Sequence, residues 1–236
     1  TKTLCPNESI DSITICPASG DAGSSLGACI NYLHYNGSTV SVPSPLSTSN
    51  ILVGSQSINI LKAFDKYNLD HHPFDDIAIK RICRLLDSGC VGAVYEGASE
   101  FGPRALGNRS IIAAPHLQSS ISFINLRIKN REDFRPLAPI VLSEYAHQYF
   151  ELDNYSQSLY LYMLTLAKSK TFTYPLITER CESTLPIQPL LSTDSIIPSV
   201  VHKDGTARVQ LIDSDTQSVV ATILKNFHEM TNIPIL

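Results

Sequence analysis

Glu100-Phe-Gly-Pro-Arg-Ala-Leu-Gly-Asn-Arg-Ser110 is the most informative stretch of the chain, and Ile128-Lys-Asn-Arg-Glu-Asp-Phe-Arg-Pro-Leu-Ala-Pro139 follows closely. The two stretches carry five cations: Arg104, Arg109, Lys129, Arg131 and Arg135. Glycine and proline interrupt both stretches, which places many of these cations on turns and at element ends. The whole chain has a net charge of −4, so this positive charge is local. The concentration predicts a site for a small, multiply charged anion, such as a nucleotide or an acyl phosphate.

The overall composition narrows the class of protein. The 236 residues are 43% hydrophobic, which is enough for an ordinary buried core. The acidic balance argues against a general nucleic-acid binder, which usually shows a basic excess. No apolar stretch approaches the ~20 residues that span a bilayer. We therefore expect neither a nucleic-acid partner nor a membrane.

The cysteines indicate the compartment. Six are present, and none forms a C-x-x-C pair. Cys16, Cys29, Cys83 and Cys90 lie in apolar stretches, where a free cysteine behaves as a small hydrophobe. We interpret them as reduced core residues of a cytoplasmic protein, in preference to a disulfide or zinc framework.

Apolar spacing predicts helices alternating with short strands, and therefore an α/β or α+β fold. Helices are expected over 21–34, 75–86, 118–129 and 218–230, and Gly89 is expected to cap the second of them. Strands are expected over 10–17, 90–95 and 159–166, of which 90–95 is expected to be buried. Two more are expected on either side of an Asp-Gly turn within 200–212. The segment 36–50 is rich in Ser, Thr and Pro and is the best domain boundary. The segment 168–198 shows no usable periodicity.

Each cationic motif also has a purely structural interpretation. Glu100–Ser110 could be a loop shaped by Gly102, Gly107 and Pro103, although an Arg between Pro and Ala has little packing reason to exist. In the second stretch, cations at a helix C-terminus complement the helix dipole. That explains Lys129 but not Arg135, which precedes a proline.

Two shorter motifs are weaker signals. Asp204-Gly-Thr-Ala-Arg208 is first of all a hairpin turn, and alternatively it places Thr206 and Arg208 at the rim of a ligand site. Ser19-Gly-Asp-Ala-Gly23 reads as a helix N-cap, with Asp21 accepting backbone N–H bonds. Alternatively, Asp21 is a metal ligand beside a backbone that approaches phosphate.

Taken together and in this order, the motifs resemble the O-carbamoyltransferase family, which includes nodulation and antibiotic carbamoyltransferases. The matching text comprises Pro17-Ala-Ser-Gly-Asp-Ala-Gly, residues 100–110, Lys129-x-Arg-Glu-x-Phe-Arg-Pro-Leu-Ala-Pro, Tyr149-Phe and His202-x-Asp-Gly-Thr-Ala-Arg-Val-Gln. The resemblance covers nearly the whole chain and is weakest over 36–75 and 165–198.

The resemblance implies two modules. Residues 1–40 are similar to the end of an actin-like module of the kind found in tRNA threonylcarbamoyl transferases, and 41–75 form a linker. Residues 76–236 are similar to the twisted, mixed-sheet α/β domain of threonylcarbamoyl-adenylate synthases. The implied reaction joins carbamoyl phosphate and ATP into carbamoyl adenylate. The carbamoyl group then passes to a hydroxyl of a sugar or natural product.

The resemblance also implies roles for individual residues. Lys129 and Arg131 resemble the Lys-x-Arg nucleotide-binding element and are expected to act on the phosphates and the carbamoyl group. Arg104 is expected as a third catalytic residue, on the second anion. Five residues are expected to bind the nucleotide and second anion: Arg109, Asn125, Arg135, Thr206 and Arg208. Asp21 matches a metal-binding aspartate. The implied cofactors are ATP, Mg²⁺ and, in the full-length parent, a transition metal such as Fe²⁺.

The chain departs from the family at both ends. The family's actin-like module extends far upstream, with a histidine pair that completes the metal site, and the family continues downstream of Leu236 into an Asn-Thr-Ser-Phe-Asn motif. Asn232 stands where the family usually has Gly, and Asn can also adopt the left-handed cap. We therefore expect a piece of a longer family member. The alternative is a fragment, or decayed remnant, that holds a nucleotide without chemistry.

Overall fold

The computed structural model describes residues 20–38, 60–152, 165–170, 195–202 and 204–236. The predicted strand 10–17, most of the boundary segment 36–50 and most of 168–198 lie outside these residues. Within them there are six α-helices: α1 Asp21–Tyr35, α2 Ile60–Tyr67, α3 Asp76–Asp87, α4 Gln118–Ser122, α5 Ala146–Tyr149 and α6 Val219–Thr231. A π-helical turn, Phe123–Ile128, continues α4, and a 3₁₀ turn, Ser143–Tyr145, precedes α5.

Six strands form two sheets in the described residues: β1 Gly92–Tyr95, β2 Arg109–Ile112, β3 Ile140–Leu142, β4 Phe150–Glu151, β5 Thr165–Ser169 and β6 Thr206–Ile212. β1 and β2 form an antiparallel pair. The other sheet has the order β3-β6-β5-β4, with β3 and β6 parallel and the remaining pairs antiparallel. On the far side of β3, Ile140 and Leu236 exchange backbone hydrogen bonds of 2.9 and 3.0 Å. This mixed α/β architecture confirms the predicted class.

The helices α3 and α6 form where their sequences supply both an apolar face and caps. Asp75 caps α3 by accepting the Ala78 N–H at 2.8 Å, and Gly89 ends it with a φ of 96°. Ser218 caps α6, which ends at Asn232 in the left-handed conformation with a φ of 60°. Both helices and their C-terminal ends at Gly89 and Asn232 confirm the sequence predictions, whereas the N-caps at Asp75 and Ser218 were not predicted.

The two helices pack against each other and over the sheets. The Cys83 thiol of α3 donates to the Ile223 carbonyl of α6 over 3.6 Å. Leu224 and Phe227 of α6 are fully buried in the same core cluster as the buried residues of the β1–β2 pair. A second cluster fills the other side of the four-stranded sheet around Phe150, β6 and Ile197. The β1–β2 pair is therefore held against α3 and α6 by apolar packing.

Two strand predictions need correction. The segment 90–95 was expected to be buried, but of the four residues of β1 only Val94 is, and Tyr95 is 57% exposed. The two-stranded sheet is covered on one face only, which explains this pattern. The segment 200–212 was expected to hold two strands, but only β6 forms. Both edges of β6 are occupied, by β3 and β5, so no edge is free for a hairpin partner.

Other expectations are met in part. Cys83 is buried as predicted, whereas Cys29 and Cys90 are exposed, so their assignment to the core is wrong. Cys29 lies on α1, none of whose residues is buried, and Cys90 follows the turn at Gly89. The predicted linker 41–75 contains α2. The part of the predicted strand 159–166 that is described, Thr165 and Leu166, begins β5. None of the described helices has the length and hydropathy needed to cross a membrane.

Candidate functional site: a cationic cavity between the two sheets

A cavity of about 340 Å³ opens between the β1–β2 pair, the end of the π-helical turn and β6. This volume lies in the range of small-ligand sites, ~300–1,000 Å³. Four of its lining side chains are charged, and all four are cations: Arg104, Lys129, Arg131 and Arg208. No carboxylate side chain is among the described residues that line it. Below, we call these four residues the cavity cations.

The walls between the cations are largely apolar. They come from β2 and the residues after it, from the segment after Arg135, and from α6. The lining apolar residues include Ile112, Ala113, Ala114, Pro115, Ile124, Leu137, Val200 and Val220. Because apolar walls lower the local dielectric, the cations act more strongly on a bound anion than they would in water.

The π-helical turn places Lys129 and Arg131 at the cavity. The Lys129 N–H donates to the Ile124 carbonyl at 2.8 Å, and the Arg131 N–H donates to the Asn125 carbonyl at 2.9 Å. These bonds span five and six residues, so the chain widens where an α-helix would have closed. π-Helical turns of this kind often occur at functional sites. The widening also shifts the helical phase, so that Ile128 is 44% exposed while Ile121 and Ile124 are buried. A regular α-helix over 118–129, as predicted from the sequence, would have placed Ile128 on the same face as these two residues.

Asn125 lies directly behind Arg131. Its side chain is fully buried, and its Oδ1 accepts a hydrogen bond of 2.7 Å from Arg131 Nε. Its Nδ2 donates to the carbonyls of Asp133 and Arg135, at 3.1 and 2.7 Å. These three side-chain hydrogen bonds fix the segment after the π-helical turn and the guanidinium of Arg131. Asn125 does not line the cavity, so its placement makes it a positioning residue for Arg131 and not a direct ligand.

Glu100 organises the loop that carries Arg104. Its Oε1 accepts the backbone N–H groups of Leu106, Asn108 and Arg109, at 2.8, 2.9 and 3.1 Å. Burial raises the pKa of this carboxyl, but the backbone hydrogen bonds outweigh burial, and the net shift is downward. Glu100 is therefore an ionised anchor, and the loop turns around it so that Arg104 faces the cavity.

Arg109 points away from the cavity. Its guanidinium donates to the carbonyls of Glu96, Asn108 and Gly97, at 2.6, 3.0 and 2.9 Å. It also stacks on the Tyr95 ring, with 3.6 Å between the guanidinium carbon and the ring centroid. Arg109 does not line the cavity. The structure thus places it as a structural residue at the base of the loop, apart from the anion site predicted for it.

Arg135 and Thr206 are also outside the cavity lining. Arg135 is exposed and pairs with Glu132, with 2.8 Å between Nε and Oε2. The Thr206 hydroxyl donates to Asp204 Oδ1 at 2.6 Å and lies 3.3 Å from His202 Nδ1. The main cause of the lowered Asp204 pKa is this hydroxyl bond. Thr206 shapes the turn that leads into β6, two residues before Arg208.

Arg208 and Arg131 are the partly buried members of the cavity cations, whereas Arg104 and Lys129 are exposed. Arg208 differs from Arg131 in its hydrogen bonding. Its Nε is buried, and no described residue supplies a hydrogen-bond partner. Burial lowers the pKa of Arg208, and the positive charges of Arg104 and Arg131 lower it further. An unpartnered buried donor beside two other cations is costly without an anion, because both desolvation and repulsion oppose the charge. The arrangement thus favours an anionic ligand.

Asp21 is not among the residues that line the cationic cavity. It is the first residue of α1, it is exposed, and no side-chain cap bond forms at that end of the helix. Within the described residues, no group of three or more His, Cys, Asp or Glu side chains is arranged to hold a metal ion. A transition metal at Asp21 stays a prediction, and the residues described here supply no partners for it.

Three functional positions were missed from sequence. Gln210 and Ser199 line the cavity, and Glu100 builds its loop. Gln210 follows Arg208 by two residues in a strand and therefore shares its face, a signal that the strand periodicity contained. Glu100 gave no such signal, because an acidic residue in a Gly-rich stretch reads as a solvent-exposed loop residue.

Comparison with known protein families identifies the family of the chain that forms this cavity. The family model of the carbamoyltransferase C-terminus matches residues 83–236, which include all four cavity cations. The chain belongs to the carbamoyltransferase C-terminus family. The O-carbamoyltransferase resemblance is thereby confirmed at the level of the family.

Individual relatives agree with the family assignment. An uncharacterized protein of Synechocystis sp. is 33% identical over an alignment that covers 95% of this chain and 37% of that protein. Nodulation protein NolO of Bradyrhizobium diazoefficiens is 29% identical over 96% of this chain and 38% of its own length. Nodulation protein NolNO of Sinorhizobium fredii is 34% identical over 69% of this chain and 21% of its own length. The chain thus spans well under half the length of these relatives.

Proposed function

We propose that this carbamoyltransferase chain is the part of an O-carbamoyltransferase that forms carbamoyl adenylate from carbamoyl phosphate and ATP. The carbamoyl group would then pass to a hydroxyl of a small-molecule acceptor, such as a sugar or natural product. The observation that carries the proposal is a cavity with four cations and no lining carboxylate, in a member of this family. Two polyanions repel each other, and a cationic cavity offsets that repulsion while it aligns them.

The atoms of this reaction balance in two steps. Water first takes the phosphoryl group of carbamoyl phosphate, which releases inorganic phosphate and leaves carbamate. An oxygen of carbamate then attacks the α-phosphorus of ATP, the bond to the β-phosphate oxygen breaks, and pyrophosphate leaves. Both steps build negative charge on phosphate oxygens. Fixed cations stabilise that charge with little reorganisation.

The positions of the cavity cations suggest that different cations bind different anions. Arg131 is held at Nε by Asn125, so its two terminal nitrogens stay available for a bidentate contact with phosphate. Lys129 adds a movable point charge from the same turn. Arg104 and Arg208 lie close enough to repel each other and would share the second anion. In this proposal Arg109 and Arg135 support the site from outside it.

The cofactors fit the cavity to different degrees. The unpartnered Arg208 Nε and the absence of lining carboxylates among the described residues fit the phosphates of ATP. Bound Mg²⁺ would neutralise charge between phosphate oxygens, and phosphates and water would have to supply its ligands. A transition metal finds no donor set in the described residues, so we derive no step from it.

The proposed division of the chain is into two modules and a linker. Residues 76–236 would form an adenylate-synthase-like domain, and residues 1–40 would be the end of an actin-like module. The segment 41–75 would link the two, with α2 inside it. The mixed sheet and the cavity at its edge are compatible with this division.

ATP–pyrophosphate exchange tests the proposed reaction on this chain. Exchange that requires carbamoyl phosphate and Mg²⁺, accompanied by release of inorganic phosphate, is the expected result. ATP binding without exchange would favour the alternative, a fragment that holds a nucleotide without chemistry. Absence of both binding and exchange would contradict the proposal for this chain.

A further inference from the structure

We propose that Gln210 selects the carbamoyl group, by accepting a hydrogen bond from its amino group at the side-chain Oε1. The inference rests on the proposed function, because it assigns the part of the cavity that reads the acyl substituent. Carbamoyl phosphate carries an amino group, with two N–H donors, on its carbonyl carbon. A site that recognises it therefore needs an acceptor, which none of the cavity cations provides.

Gln210 is the side-chain amide that lines the described cavity. It is 7% exposed, and its Nε2 donates to the Leu106 carbonyl at 2.7 Å. A carbonyl can only accept, so this bond fixes which end of the amide faces Leu106. Oε1 is consequently held at the opposite end.

Oε1 has no competing partner in the described part of the chain. The buried side-chain atoms without a hydrogen bond belong to His116, Ser120, His202, Arg208 and His228. No described hydrogen bond ends on Oε1 of Gln210, yet Oε1 is not among these buried, unpartnered atoms. It is therefore not shut off from solvent, and because Gln210 lines the cavity, we infer that Oε1 is open to it. There it offers two lone pairs to a ligand.

The other uncharged polar side chains of the lining are committed differently. Ser110 Oγ accepts the Gly107 N–H at 2.9 Å, and the Ser199 hydroxyl donates to the Leu117 carbonyl at 2.6 Å. Gln210 lies two residues after Arg208 on the same face of β6, about 7 Å along the strand. An acyl phosphate whose phosphate is held at Arg208 and Arg104 would thus bring its acyl end to Gln210.

Acetyl phosphate is the matched probe, because a methyl group replaces the amino group and the phosphate is unchanged. A site that hydrogen-bonds an N–H group rejects an analogue that lacks it. We expect the chain to bind carbamoyl phosphate about tenfold more tightly than acetyl phosphate, the effect of one buried hydrogen bond. The measurement is calorimetric titration of both compounds, freshly dissolved, with inorganic phosphate as the reference for the phosphate subsite.

Two variants separate recognition from support of the loop. Gln210→Met removes both the acceptor and the bond to Leu106, and it should reduce the preference to about one. Gln210→Glu also loses the bond to Leu106 but keeps an acceptor, so the preference should persist although phosphate affinity falls overall. Gln118→Met, at an exposed position, is the control for the same change of side chain.

Each outcome bears on the inference. Equal preference in wild type and Gln210→Met would overturn it, as would loss of preference in both Gln210 variants, which would reveal a structural role only. If Gln210→Met does not fold, loss of the preference in Gln210→Glu alone overturns it. Failure of the wild-type chain to bind any of the three phosphates would instead contradict the proposed function itself.

Discussion

Arg104, in the loop, and Arg109, at the start of β2, lie five residues apart, yet their surroundings are opposite. At the base of the loop, the Arg109 guanidinium donates to three carbonyls and stacks on Tyr95. At the cavity, Arg104 contributes to a cluster in which Arg208 carries a buried, unpartnered donor. Satisfied cations hold the chain in place, and unsatisfied cations are available for a ligand. Cation type and spacing alone do not separate the two groups, but their hydrogen-bond partners do.

The largest expected effect is on catalysis by the cavity. Lys129→Ala and Arg131→Ala together should lower ATP–pyrophosphate exchange by about 1,000-fold, because two preorganised cations are removed from developing phosphate charge. The free energy of unfolding should fall by about 1–3 kcal/mol at most, because the buried Asn125 Oδ1 loses its partner while repulsion among the cations is relieved. Exchange and thermal unfolding measure the two effects. Arg127→Ala, at an exposed position two residues from Lys129 and outside the cavity lining, is the control. Exchange that survives the double change would refute the site assignment.

A substitution at the base of the loop should instead change the stability of the folded state. Glu100→Gln should lower the free energy of unfolding by about 2–3 kcal/mol, because three backbone N–H groups lose a charged acceptor. Urea denaturation measures this loss, and Glu229→Gln, at an exposed position, controls for the loss of one carboxylate. Equal stability of both variants would show that Glu100 does not organise the loop.

Asn125 connects the two kinds of residue, because its side chain is hydrogen-bonded inside the protein and holds one of the cavity cations, Arg131. Asn125→Ala should lower exchange about tenfold, since Arg131 loses the contact that fixes its Nε. The effect should vanish when Arg131 is already alanine. A double-mutant cycle measures the coupling, with Asn226→Ala, which removes a bond to the Thr222 carbonyl in α6, as the control. Simple additivity of the two changes would show that Asn125 acts on general stability alone.

The smallest expected effect is a dependence of stability on pH. Glu100 has a pKa below its ordinary value of 4.5, so its contribution is complete above that value and is lost as pH falls through the lower, folded-state pKa. Between neutral pH and the acid range, wild type should therefore lose more stability than Glu100→Gln. Unfolding free energies at several pH values measure the difference. Parallel curves for the two proteins would contradict the lowered pKa.

The sequence was sufficient where local chemistry determines the structure. The helices α3 and α6 follow from side-chain periodicity, and their C-terminal ends at Gly89 and Asn232 follow from capping preferences. The grouping of Arg104, Lys129, Arg131 and Arg208 was also predicted, from motifs that are far apart along the chain.

The sequence was insufficient where partners come from a distance. The phase shift of the π-helical turn depends on backbone bonds that no side-chain pattern encodes, and it exposes Ile128. The role of Arg109 depends on Tyr95 and three carbonyls, which the fold brings together through the β1–β2 pairing. β6 has both edges occupied, and this follows only from the topology of the sheet.

Calorimetric titration of ATP with Mg²⁺ into this chain tests the central claim most directly, which is that the cavity cations await a polyanion. Wild type should bind, with an affinity that falls as salt is raised, because salt screens the attraction between the charges. Arg208→Gln should lose at least tenfold in affinity, while Arg127→Gln should match wild type. Equal affinity of all three proteins would contradict the account.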